Sequence, residues 1–148
     1  MPSKNTSSLA FPQMFNIVNN VVSVYSGNRS IVNRTRLLIL TDPTELYNNP
    51  TQGVGLKKYL WQYNTANTQA IIQSKIKDQL KIHEPCVDAE KTQFADGLMF
   101  TGSPDSDNTA SRINQLKMTI GLQTIYEDTV SLDINLEEER QKLFSGEE

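Results

Sequence analysis

With 148 residues and a formal net charge of −3, the chain fits one domain able to bury a core, and its basic residues are too few for a nucleic-acid footprint. Apolar residues make up 37%, low for a self-sufficient globule, and no apolar run approaches the roughly 20 residues of a membrane span. A single cysteine, Cys86, excludes an intrachain disulfide and suits a reducing cytoplasm.

The N-terminus, MPSKNTSSLAFPQMF, lacks the apolar stretch of a secretory signal. Charge is unevenly distributed. No acidic residue precedes Asp42, while Lys4, Arg29, Arg34 and Arg36 do, so that segment is formally +4. Residues 137–148 carry five glutamates against Arg140 and Lys142, net −3. Ends of opposite sign can engage neighbours electrostatically; for the acidic tail, simple solvation is the plainer reading.

Residues 1–13 are rich in Ser, Asn and Pro and read as a flexible arm that orders on binding. FNIV and VVSVY flank Asn19-Asn20, a pair tolerant of positive φ, and predict a short hairpin closed by Ser26-Gly27-Asn28. Ser30 is the expected N-cap of a helix over 31–40. Leu37, Leu38, Ile39 and Leu40 make its C-terminal half apolar nearly all round, and Pro43 ends it by disfavouring helix at Asp42. Residues 42–55 hold two prolines and two glycines and form a long loop of the kind that contacts something. Leu56, Tyr59, Leu60 and Tyr63 predict a short amphipathic helix, with Trp61 off its apolar face as a packing residue or an interface anchor.

Thr65 or Asn67 can cap the next helix, which runs to about Ile82 with Ile72, Ile76 and Leu80 as its buried stripe. Pro85 stops it. Further on, Leu116, Met118, Ile120 and Leu122 alternate with non-apolar residues, and Val130, Leu132, Ile134 and Leu136 repeat the pattern after a polar turn. Two period-2 strands around such a turn are an antiparallel hairpin with one buried face. Residues 87–100 supply a less regular third strand, joined by the polar linker 102–111. The fold class is therefore α+β: a small helical core of about three helices packed on an antiparallel sheet, with a C-terminal hairpin and a short N-terminal one. The domain spans 14–136, followed by an acidic tail, 137–148.

No catalytic constellation emerges. His83 and Cys86 lie close, but no second pair completes a metal site, and a nucleophilic Cys86 or a serine would depend on that one histidine. Gly53-Val54-Gly55 lacks the flanks of a phosphate-binding loop. Glu45 and Glu84 are the candidates for a glycosidase carboxylate pair; the plainer reading is that each accepts backbone or partner hydrogen bonds. No cofactor is expected.

The order of these features resembles the GPW/gene-25 family of small baseplate-wedge, or sheath-initiator, proteins of contractile phage tails, with relatives in type VI secretion baseplates. The resemblance rests on Ser30-Ile31-Val32-Asn33-Arg34, on LLILTDPTE (37–45), on Pro50-Thr51-Gln52-Gly53, on Leu56-Lys57-Lys58-Tyr59-Leu60-Trp61 and on Glu84-Pro85-Cys86 before a closing hairpin. It covers about residues 14–136. Thr44 stands where the family has Gly, and Cys86 where it has the Arg of a Glu-Pro-Arg signature. If that Arg meets a neighbouring protein, this chain makes the contact otherwise, through Arg34 or Arg36.

The resemblance implies a non-enzymatic subunit of a virion tail baseplate, assembled in the host cytoplasm. It would be present in six copies, joining wedge proteins around the tube and templating the first ring of tail sheath protein. Strand addition to the C-terminal hairpin would receive the sheath. Arg34, Arg36, Glu45, Tyr47, Trp61, Glu84, Pro85 and Cys86 are the expected partner-binding residues. A peptidoglycan-cleaving, lysozyme-like baseplate hydrolase is the competing class. A baseplate subunit of a type VI secretion or tailocin-like machine is the third reading.

Overall fold

A computed structural model of the chain describes residues 6–10, 15–16, 21–59, 66–94, 99–101 and 115–135. In chain order these form β1 (Ser7–Leu9), β2 (Phe15–Asn16), β3 (Val21–Val22), β4 (Val24–Ser26), α1 (Gly27–Leu40), a 3₁₀ turn (Leu56–Tyr59), α2 (Ala66–His83), β5 (Gln93–Phe94), β6 (Met99–Thr101), β7 (Gln115–Gln123) and β8 (Thr129–Asn135). The architecture is α+β, as the sequence pattern predicts. The turn residues Asn19-Asn20, Trp61, the linker 102–111 and the acidic tail lie outside the described residues.

The alternation read over 116–136 is the backbone of the main sheet. β7 pairs antiparallel with β8 from Lys117↔Asn135 to Gln123↔Thr129. Because successive strand residues face opposite sides, this register gathers Met118, Ile120, Leu122, Leu132 and Ile134 on one buried face. On β7's other edge sit two short strands, β5 at Gly121 and Ile120 and β6 at Leu116 and its neighbours. The one irregular strand expected over 87–100 is thus two, with a further bridge from Val87 to Thr124.

Both helices pack their apolar stripes into the same core. α2 buries Ile72, Ile76 and Leu80, and α1 buries Ile31, Leu38 and Ile39. Fully burying a side chain of this size contributes about 1.5–3 kcal/mol relative to exposure. No residue of α1 from Ile31 to Leu40 is exposed. Its end is as expected: the Thr41 backbone N–H and hydroxyl both donate to the Leu37 carbonyl, at 2.9 and 2.7 Å, before Pro43.

The start of α1 differs from expectation. Ser30 does not cap it; it is buried within the helix, which begins at Gly27 after Ser26, a residue that makes no side-chain capping bond. The reason is tertiary. Gly27 N–H donates to the Thr6 carbonyl at 3.0 Å, so the residue just before β1 satisfies one of the four N–H groups that the start of a helix leaves without an intrahelical partner. The segment read as an arm therefore contributes a strand: Ser7, Ser8 and Leu9 pair with Ser26, Tyr25 and Val24. The predicted hairpin is present in the pairing of β2 with β3. The helix expected over 56–63 is a 3₁₀ turn as far as Tyr59.

Candidate functional site

The ends of α1 and α2 come together where the sequence places its two proline stops. Between them lies a groove of about 580 Å³. Arg34, Leu37, Leu38 and Thr41 line it from α1, His83, Glu84, Pro85 and Cys86 from the end of α2, and Leu46 and Gln52 from the loop between them. Its character is mixed: a leucine wall with one ion pair set into it.

That pair is Arg34 with Glu84. The guanidinium donates from Nε to Oε2 at 2.9 Å and from a terminal nitrogen to Oε1 at 2.7 Å. Glu84 is 3% exposed, so its charge depends on this two-point contact. Burial pulls the Arg34 pKa down, yet the bonded Glu84 carboxylate, with a smaller contribution from Cys86, holds it above its ordinary value. Arg34 is thereby engaged within the chain. Cys86 is buried, and its carbonyl accepts the Ile125 N–H at 3.0 Å, anchoring the helix end to the β7–β8 turn.

The loop 42–55 is shaped by its own hydrogen bonds. Glu45 turns inward on the loop and accepts the Asp42 N–H at 2.9 Å. Thr44 N–H donates to the Pro50 carbonyl at 2.8 Å. Gln79 of α2 clamps the far side, accepting from Gly53 N–H at 2.9 Å and donating to the Thr51 carbonyl at 3.2 Å. Lys57 closes the base on Asp42 at 2.9 Å. Thr44, which stands where the resemblance has Gly, takes φ 77, a left-handed conformation uncommon for a β-branched residue. The loop so held presents Leu46 to the groove and leaves Tyr47 fully exposed, at 103%.

Of the residues singled out in the sequence, Arg34, Glu84, Pro85 and Cys86 meet in the groove. Glu45 and Tyr47 sit on the loop at its rim. Arg36 lies elsewhere, donating to the Asp133 carbonyl of β8 at 3.4 Å. Trp61 lies outside the described residues. Sequence reading missed Leu46, Gln52 and the groove-facing role of Leu37 and Leu38. Leu46 carried a signal: a large apolar residue in a Pro/Gly-rich loop with no periodic partner.

Neither a family model nor a curated protein sequence matches the chain. Solved structures do. A chain of the anti-feeding prophage baseplate, in a six-fold symmetrised cryo-EM structure, is 18% identical with a TM-score of 0.54 over 94% of this chain and 93% of that one. A candidate tail lysozyme from Geobacter sulfurreducens, seen in a crystal structure, is 18% identical with a TM-score of 0.50 over 73% of this chain and 87% of that one. At this identity the likeness is one of fold: the chain shares the fold of a chain in the anti-feeding prophage baseplate.

Proposed function

We propose that this protein is a structural subunit of the baseplate of a contractile tail. It joins wedge proteins around the tube, in six copies, and offers the first template for the sheath. The observation that carries this reading is the fold match to a baseplate chain across nearly the whole length of both chains. The groove fits it. A preorganised loop with an exposed Tyr47 beside a leucine-lined cleft is the kind of surface on which interface anchors concentrate. β8 lies at one edge of the main sheet, pairing only with β7 among the described strands, and such an edge accepts a strand from a neighbour. Tails assembled without this protein are expected to show tube but no sheath by electron microscopy. Normal sheaths in that preparation would overturn the reading.

A second reading is favoured by the candidate tail lysozyme among the fold neighbours. It has Glu45 and Glu84 cleave peptidoglycan. Supporting the structural reading instead, both carboxylates already have partners, Asp42 N–H and Arg34. Cell-wall cleavage by the wild-type protein, abolished in both Glu45→Gln and Glu84→Gln variants that remain folded, would replace the structural reading with the hydrolase.

A further inference from the structure

α2 buries one side and carries an apolar pair on another. Ile72, Ile76 and Leu80 enter the core, while Ile71 and Ile82 are 43% and 68% exposed. At 3.6 residues per turn, the step from 71 to 82 is three turns and about 20°, so the two isoleucines lie nearly on one line along the helix, roughly 16 Å apart. Lys75 and Asp78 fall between them, each within about 30° of that line. Asp78 is exposed and Lys75 half-buried. None of these four residues lines the groove.

We infer that this stripe is where α2 meets a second copy of the chain, the two helices antiparallel about a twofold axis. The order apolar, basic, acidic, apolar is complementary to its own reverse. Positions 71 and 82 share a midpoint with positions 75 and 78, between Ile76 and Lys77. A twofold axis passing there brings Ile71 level with Ile82 of the second copy and Lys75 level with its Asp78, and the same pairs recur on the other side of the axis. An isologous contact requires this kind of self-complementarity.

Electrostatics favour this occupant. The neighbouring Lys58 side chain, on the 3₁₀ turn, and then burial hold the Lys75 pKa below the ordinary lysine value. A carboxylate level with Lys75 relieves the repulsion between the two ammoniums, and Asp78 of a second copy is such a carboxylate. The two Lys75–Asp78 pairs at the centre sum to zero charge, and an isoleucine pair closes each end, removing apolar surface from water. A two-helix contact is smaller than the roughly 1,200 Å² of a stable interface, so the association is weak. A closed twofold pair is also a different arrangement from a ring of six copies, so it belongs to the free protein and does not rest on the baseplate reading.

Sedimentation equilibrium of the full-length protein tests this. The wild type is expected to dimerise with a Kd on the order of 10–100 µM. Ile71→Ser/Ile82→Ser and, separately, Asp78→Lys should each weaken association about tenfold or more. All three sites are exposed, so the fold should survive, as circular dichroism can check. Adding Lys75→Asp to Asp78→Lys restores the complementary order and should restore association. Oxidative cross-linking reads the register. A mixture of Ile71→Cys and Ile82→Cys proteins should form a disulfide-linked dimer, and neither protein alone should, because like positions lie about 16 Å apart. A wild type that stays monomeric to about 1 mM overturns the inference. So does a dimer that persists in both α2 variants, or cross-linking of Ile71→Cys alone that equals the mixture. Should the serine variant misfold, the charge reversal and its rescue carry the comparison.

Discussion

Arg34 and Glu84, fifty residues apart, are joined by two near-parallel hydrogen bonds of 2.9 and 2.7 Å at the meeting of the two helix ends. Glu84 is the buried partner. Arg34→Ala would leave its carboxylate enclosed and unpaired, and the expected cost is about 3 kcal/mol, read as a lower urea midpoint. Arg34→Lys should recover little, because an ammonium cannot reproduce the two-point geometry. Replacing both partners, Arg34→Met with Glu84→Leu, should lose far less than Arg34→Ala alone.

Thr44 at φ 77 predicts a stabilising substitution. The left-handed conformation costs an L-residue about 1–2 kcal/mol, and glycine avoids that at the expense of about 0.5–1 kcal/mol of unfolded-state entropy. Thr44→Gly should therefore gain about 0.5–1 kcal/mol, raising Tm by about 1–4 °C. A lower Tm would show that the threonine side chain makes up for its backbone.

Gly53 predicts the reverse. Its φ is 117, and a Cβ there would lie 2.4 Å from the Thr41 carbonyl oxygen, inside contact distance of backbone that ends α1. Gly53→Ala should destabilise by about 2 kcal/mol or more. It should also loosen the Gln79 clamp, visible as faster exchange of the Gly53 and Gly55 amides.

Lys57 provides a pH dependence. Its hydrogen bond to Asp42 raises its pKa, burial opposes this, and the charges of Asp42 and Glu45 add to the rise. A pKa raised on folding contributes stability that is complete below the unfolded value of about 10.4 and is lost as pH climbs through the higher folded value. The side chain is well exposed, so the contribution is below about 1 kcal/mol. Urea unfolding from pH 9 upward should show a steeper loss for the wild type than for Lys57→Met.

Leu46 and Tyr47 separate interface from fold. Both are exposed, so Leu46→Ser/Tyr47→Ala should change stability by less than about 0.5 kcal/mol per site. On the baseplate reading the same variant should enter assembled tails poorly, measured by its copy number in purified particles. Normal incorporation would remove the loop from the interface.

Local signals were legible wherever a segment's own pattern decides its structure. Alternation at 116–122 and 130–136 foretells β7 and β8, Ile72, Ile76 and Leu80 foretell the buried side of α2, and Pro43 and Pro85 foretell both helix ends. Ser30 misled because a good capping residue says nothing about an acceptor brought from Thr6. Of the groove, the residues were visible singly, and their meeting was not. Arg34 read as free for a neighbouring protein because nothing near it in sequence could hold it.

The sequence by itself determined the elements and their apolar faces, since strand pleat, helix period and proline's missing N–H act within a few residues. Only the tertiary structure decided that β1 docks on β4, that Arg34 is taken up by Glu84, and that loop 42–55 is held open as one wall of a groove. Each of these depends on partners more than ten residues apart, whose contact follows from how the helices and sheet close over a shared core and leaves no periodic mark in the chain.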